Sequence, residues 1–228
     1  TQNVLMAATI AEGVTTINNA AREPEVCFLA DSLVKMGAKI HGIGSSKMVI
    51  EGQPSLHGAE IIVPADRIEA ATFIITAAIT NGELALRHVN FEDVENLVST
   101  FEEAGIEVLP KHDHILARRF NGSLNPVQII TAAYPGFPTD IQAQIMALTT
   151  IANGDSSIIE NIFENRFMHV PELCRMGANI HLKNNTAHII GVNELCGAEV
   201  MATDLRASAS LVLAGLAAKG STLINRVY

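Results

Sequence analysis

Tryptophan is absent from the 228 residues and aromatic side chains make up only 4%, so any core this chain builds must be aliphatic. Cysteine is scarce and odd in number. Cys27, Cys174 and Cys196 form no Cys-x-x-Cys pair and show no regular spacing, which argues against a disulfide framework or zinc ribbon, and for inert buried thiols in a reducing cytosol. Basic residues are outnumbered, 15 against 24 acidic, for a formal charge of −9. A surface that neutralises phosphates needs the opposite balance, so no nucleic-acid partner is expected. Long hydrophobic runs are missing as well. Stretches such as Leu211 to Ala218 fall well short of the roughly 20 residues of a membrane-spanning helix, so no membrane partner is expected and the chain reads as soluble and cytoplasmic. A starting Met, a basic leader and a cleavage pattern are also lacking, and both ends read as cut. Apolar residues, by contrast, are plentiful: 48% are hydrophobic and the mean hydropathy is +0.27, enough to fill a sizeable core.

Self-similarity organises that apolar material. Four segments run from a small or acidic residue through an Ala-rich stretch to a glycine and a short alternating strand: Met6 to Asn18 around Gly13, Asp66 to Arg87 around Gly82, Asp140 to Ile162 around Gly154, and Asp204 to Arg226 around Gly220. The glycines are 69, 72 and 66 residues apart. A second glycine follows each of the first three after 24, 23 and 23 residues, at Gly37, Gly105 and Gly177, where it suits a left-handed helix C-cap followed by a strand. Each unit therefore reads as helix, strand, helix, strand, strand. The fourth stops before its second glycine, so the chain reads as a piece of something longer. A polar stretch, Gln53 to Gly58, and a Pro at 64 mark a junction. Units of about 70 residues are too small to close a core alone and should share one, Ala-rich helices inward and sheets outward.

The densest candidate for chemistry is the loop Tyr134 to Gln142, where Pro135, Gly136 and Pro138 deliver Thr139 and Asp140 to the start of a helix predicted over 141–152. Thr139 and Gln142 have the spacing of a capping box, which is the bland reading; an ionised carboxylate there also suits a general base. Asp66, Asp140 and Asp204 lie 16, 14 and 16 residues before their unit glycines and are expected to occupy equivalent helix starts, with Arg67 and Arg206 beside two of them as anion holders. Phe163 and Phe167, four apart, read as core. Glu23 and Glu25 read as first-turn residues around Pro24. Gly42-Ile-Gly44 lies between two strand-like runs, so it reads as a hairpin and not as a nucleotide fingerprint. His112 and His114 share a face if 112–114 is strand, but no third ligand is near, and a solvated face is preferred to a metal site.

The segments Phe137-Pro-Thr-Asp-Ile-Gln-Ala-Gln144, Phe163-Glu-Asn-Arg-Phe-Met-His169, Asp204-Leu-Arg-Ala-Ser-Ala-Ser210 and Ala20-Ala-Arg-Glu-Pro-Glu25 resemble the enolpyruvyl transferase family, and within it the branch that acts on UDP-N-acetylglucosamine in peptidoglycan synthesis. The resemblance runs from end to end. It implies an α/β fold of the inside-out barrel type built from βαβαββ units, truncated at both ends. Residues 1–64 would be the last unit of a first domain, and 65–228 most of a second with its final unit incomplete. The site would lie in the cleft between the domains. The implied reaction transfers the enolpyruvyl group of phosphoenolpyruvate to the sugar 3-hydroxyl, with release of phosphate and no metal or cofactor. By the same resemblance Asp140 is the base and Thr139 its neighbour. Ile162 and Phe163 border the nucleotide, with Arg166 near it. Asp204 and Arg206 lie at the phosphoenolpyruvate end, and Glu23 and Glu25 line the other domain's side. The family's Lys-Asn pair, its loop cysteine and a late arginine have no counterpart in these residues, so the rest of the polypeptide is expected to complete the site. A non-catalytic binding or structural fragment, or the shikimate-pathway branch, is the alternative.

Overall fold

The computed structural model describes residues 1–227. Contacts divide the chain into two compact units, one of Thr1–Pro64 with Ala133–Pro135, the other of Ala65–Ala132 with the chain from Gly136 onward. Each unit has its own apolar cluster.

The first unit runs α1 (Gln2–Ala8), β1 (Val14–Asn18), α2 (Pro24–Lys35), β2 (Lys39–His41) and β3 (Lys47–Glu51). Its sheet has the order β1-β3-β2, all antiparallel. Pro24 is the first residue of α2 and Glu23 the residue before it, because a fixed φ and a missing N–H cost nothing in a first turn. Gly42 and Gly44 turn the β2–β3 hairpin with φ of +79° and +77°, so the hairpin reading holds.

The second unit repeats that order. It runs α3 (Arg67–Ile79), β4 (Glu83–Arg87), α4 (Glu95–Glu103), β5 (Ile106–Pro110) and β6 (His114–Arg119). Then come β7 (Gln128–Ile130), α5 (Gln142–Thr149), β8 (Asp155–Ile159), α6 (Val170–Arg175), β9 (Asn179–Lys183) and β10 (Thr186–Ile190), followed by β11 (Glu199–Met201), α7 (Leu205–Ala217) and β12 (Leu223–Asn225). The sheets are β4-β6-β5, β7-β8-β10-β9 and β11-β12, with β7–β8 and β11–β12 parallel and the others antiparallel. The middle stretch thus realises a full βαβαββ unit. None of these sheets closes on itself among the described residues. Gly37, Gly105 and Gly177 have φ of +101°, +86° and +94° at the ends of the second helices, where a side chain would be strained.

Helices α3, α5 and α7 pack against one another. Every residue of α5 is buried, as expected of a helix with no polar face. Its neighbours offer Ala70, Ala71, Ala77 and Ala78 from α3 and Ala207, Ser210 and Ala214 from α7, small side chains that allow close approach. Two carboxylates fix where the outer helices begin. The Oδ1 of Asp66 accepts from the N–H groups of Ile68 at 2.7 Å and Glu69 at 3.2 Å. Asp204 Oδ1 does the same for Arg206 at 2.8 Å and Ala207 at 2.9 Å; such a cap contributes about 1 kcal/mol. At the far end of α3, the Arg119 guanidinium donates to the carbonyls of Ala78 at 2.8 Å and Ile79 at 3.1 Å, opposing the negative pole of the helix.

Two expectations fail. Cys174 and Cys196 are exposed and Cys27 partly so, because helix and loop faces place them outward. Phe167 is buried, but Phe163 is 57% exposed: residues 161–169 form turns, so a spacing of four does not share a face there. Residues 112 and 113 lie in the turn before β6 and not in a strand, and His114 Nδ1 is hydrogen-bonded to Asp113 Oδ1 at 2.7 Å.

Candidate active site

Asp140 does not cap a helix. Thr139–Ile141 form a short 3-10 turn, α5 starts only at Gln142, and neither start receives a side-chain cap. Sequence spacing holds the reason. Asp140 lies 14 residues before Gly154, whereas the capping aspartates lie 16 before theirs. The equivalent position is Pro138, which indeed sits at the N-cap of the turn. Displaced by two residues and freed from capping, the Asp140 carboxylate is used differently. Its Oδ1 accepts from Arg166 Nη2 at 2.8 Å and from Arg206 Nε at 3.2 Å, while Oδ2 meets no donor among the described residues. Asp140 is 38% exposed at the side chain and the two arginines 21% and 28%. The result is a half-buried carboxylate with one oxygen anchored by two cations and the other open.

Thr139 is anchored from the opposite side. Its Oγ1 donates to Glu160 Oε2 at 2.8 Å and accepts from Arg166 Nη1 at 3.1 Å. A guanidinium has only donors, so the hydroxyl proton must face the carboxylate. Glu160 is only 3% exposed. Its Oε1 accepts from Thr131 Oγ1 at 2.9 Å and from the backbone N–H groups of Ile162 at 2.8 Å and Phe163 at 3.1 Å. The loop after β8 is thereby bent so that Ile162 and Phe163 project outward. Arg166 lies 4.9 Å from the centre of the Phe163 ring, a cation–π distance. A recess of about 750 Å³ opens beside this loop, bordered by Asn161, Phe163, Arg166 and, from the β9–β10 hairpin, Asn184 and Asn185.

Of the residues picked out in the sequence, Thr139, Asp140, Arg166 and Arg206 form one bonded cluster, with Ile162 and Phe163 on the adjoining loop. Asp204 is next to the cluster but spends Oδ1 on its helix. Arg67 opens α3 and is buried. Glu23 and Glu25 belong to the first unit, at the start of α2. Glu160 was missed. The signal was parity: Ser156, Ile158 and Glu160 alternate onto the buried face of β8, and an acid in a core position needs a set of donors.

His169 was also passed over. It is 2% exposed, its Nε2 has no hydrogen-bond partner among the described residues, and burial pushes its pKa from 6.5 down to about 4, with Asp204 pulling up and Arg166 down. The unfolded chain therefore takes up a proton near pH 6.5 that the folded one refuses until about 4. Stability tied to this group is complete above pH 6.5 and is lost as pH falls toward 4, by roughly 3 kcal/mol over that window. Thermal midpoints measured from pH 7 to 4.5 are expected to fall less steeply in His169→Gln than in the parent; equal slopes would remove His169 from the account.

The whole chain, residues 1–228, matches the family described as EPSP synthase (3-phosphoshikimate 1-carboxyvinyltransferase). Similar curated proteins include the UDP-N-acetylglucosamine 1-carboxyvinyltransferases of Solidesulfovibrio magneticus, 59% identical, and Granulibacter bethesdensis, 54% identical. Each match covers 100% of this chain and 55% or 54% of the relative. The chain thus spans about half the length of the curated relatives it matches. Among solved structures, the enolpyruvyl transferase NikO from Streptomyces tendae superposes with a TM-score of 0.86 at 27% identity, over 97% of this chain and 53% of that one. EPSP synthase from Acinetobacter baumannii, at a TM-score of 0.73 and 20% identity over 97% of this chain and 54% of its own, shares the fold. With its repeated α/β units and a match over its full length, the chain belongs to the EPSP synthase family of enolpyruvyl transferases.

Proposed function

We propose that the protein of which this chain is a part transfers the enolpyruvyl group of phosphoenolpyruvate to the 3-hydroxyl of the sugar in UDP-N-acetylglucosamine, releasing phosphate, in peptidoglycan synthesis. The observation that carries the reading is the Asp140 carboxylate, fixed through Oδ1 by Arg166 and Arg206 with Oδ2 open. A base for a sugar hydroxyl needs a free lone pair in a fixed direction. Asp140 takes the hydroxyl proton as that oxygen bonds to the substituted carbon of phosphoenolpyruvate, whose methylene carbon gains a proton. Collapse of the tetrahedral adduct then expels phosphate and returns a proton from the methyl carbon. Arg206 and Arg166 hold the Asp140 carboxylate in one orientation, and the outward Ile162 and Phe163 give the nucleotide an apolar border. Asp204 and Arg206 stand at the phosphoenolpyruvate end, with Arg67, Glu23 and Glu25 as further substrate-facing residues.

The reaction needs no metal or cofactor, and the remainder of the polypeptide completes the site. An inside-out barrel is the finer fold reading, residues 1–64 ending one domain and 65–228 forming most of the next; the mutual packing of α3, α5 and α7 supports it. A cytoplasmic location follows from substrates of intermediary metabolism. Among the described residues no helix is long and apolar enough to cross a membrane.

The test is phosphate release by the full-length protein supplied with phosphoenolpyruvate and either UDP-N-acetylglucosamine or shikimate 3-phosphate. One phosphate per sugar nucleotide consumed, and none with shikimate 3-phosphate, is expected. The reverse preference, or no release with either acceptor, overturns the reading.

A further inference from the structure

We propose that Glu160 is a positioning residue that aims the base: by fixing the direction of the Thr139 hydroxyl proton it makes Thr139 an acceptor for Arg166, and so holds Arg166 on Asp140. The inference rests on the reaction assigned above but concerns a residue that is almost wholly buried.

The geometry forms a single relay. Glu160 Oε2 receives the Thr139 hydroxyl at 2.8 Å, Thr139 Oγ1 receives Arg166 Nη1 at 3.1 Å, and Asp140 Oδ1 receives Arg166 Nη2 at 2.8 Å. Each link dictates the next. Because Glu160 accepts only, the threonine must donate to it, which turns an oxygen lone pair toward the guanidinium. With one amino group seated on Thr139, the planar fork of Arg166 carries its other toward Asp140. Arg166 thereby has two anchors on neighbouring residues, and the carboxylate orientation is set by a group that is almost wholly buried.

The other oxygen of Glu160 extends its reach. Oε1 gathers Thr131 and the N–H groups of Ile162 and Phe163, and Thr131 Oγ1 also accepts from Asn161 N–H at 2.9 Å. One carboxylate therefore ties the base-bearing turn before α5 to the loop after β8. Its two oxygens have separable duties, Oε1 the loop and Oε2 the base.

That separation supplies the experiment. In Glu160→Gln the amide carbonyl can replace Oε1 and keep the three donors there. The amide NH2 then stands where Oε2 was, and donates to Thr139 Oγ1. Thr139 loses the acceptor that fixed its proton, so the hydroxyl is free to rotate and no longer holds a lone pair on Arg166, and the link from Thr139 to Arg166 loosens while the loop stays bonded. In the full-length protein, Glu160→Gln and Thr139→Val should each lower kcat/KM for UDP-N-acetylglucosamine by about 30-fold, mostly in kcat. The double variant should fall no more than about threefold below the worse single variant, since both cut one relay. Thr139→Ser, which keeps the hydroxyl, should recover at least about tenfold over Thr139→Val. This comparison decides the matter if Glu160→Gln fails to fold.

A readout free of turnover is the guanidinium NMR signal of Arg166, expected to show slow rotation in the parent and averaging in Glu160→Gln and Thr139→Val. Effects that multiply in the double variant, Thr139→Ser no better than Thr139→Val, or an Arg166 signal unchanged by both substitutions would each overturn the proposal. If the parent itself shows no turnover, the reaction assignment fails, and the Arg166 signal still judges the relay.

Discussion

Asp140→Asn in the full-length protein is expected to lower kcat by about 10²- to 10⁴-fold, the range general base catalysis usually supplies, with a much smaller change in KM. The amide has the size of the carboxylate, and its oxygen can still accept from Arg166 and Arg206, so the side chain stays in place. Proton abstraction is lost because an amide is no base near neutral pH. Since Asp140 caps no helix, the substitution removes no N-terminal hydrogen bond, and the thermal midpoint should move by only a few degrees at most. Asp204 differs in this respect, for its carboxylate does hold a helix start, and any loss on replacing it mixes folding with catalysis. Asp140→Asn with turnover within about threefold of the parent would reduce the cluster to a structural ion pair.

Why Asp140 behaves unlike its counterparts was written in the chain, yet was easy to overlook. The repeat made element order legible: glycines at near-constant spacing ended the second helices, and Asp66 and Asp204 capped the first ones as expected. Equivalence by type, however, is weaker than equivalence by position. Asp140 sits two places past the cap, where Pro138 stands, and the offset of 14 against 16 residues was the trace of a departure from the repeat. Local consistency tends to fail where a site has to be built. The capping-box pattern of Thr139 and Gln142 was a coincidence of spacing, since Thr139 is drawn to Glu160 and Gln142 is fully buried.

Glu160 and Phe163 were illegible for a different reason. Both belong to the segment where a strand gives way to turns, and periodicity carries no information about turns. The parity of β8 points to a buried acid, but the partners that make burial tolerable come from Thr131, 29 residues earlier, and Thr139, 21 residues earlier. No local pattern encodes such partners. The exposure of Phe163 likewise depends on its backbone N–H being held by Glu160, a contact set by the fold of the loop.

The 228-residue chain on its own is expected to show no turnover, less than about 10⁻³ of the full-length rate, even though it carries the proposed base, Asp140, and the residues that hold it. Catalytic groups act as a unit, and removing part of one typically forfeits nearly all of its effect. The chain's own site explains what is short. Arg166 and Arg206 each donate to Asp140, so part of their charge is already balanced by that carboxylate and less is left to counter a departing phosphate. His169 is buried and neutral above about pH 4, which removes it as a source of the proton needed at the methylene carbon. On the proposed reading the cluster offers an acceptor for the sugar proton, a partly spent counter-charge for phosphate and no matched acid. Supplying only one half of an addition leaves the charge developing on phosphate without a full counter-charge, and that stabilisation is usually the largest single contribution. Phosphate release measured with both substrates should stay at background for the isolated chain. Adding the separately expressed remainder of the polypeptide should raise it, and that gain should vanish when the 228-residue chain carries Asp140→Asn. Turnover by the isolated chain at even about a tenth of the full-length rate would mean that acid and phosphate holder both lie within these residues.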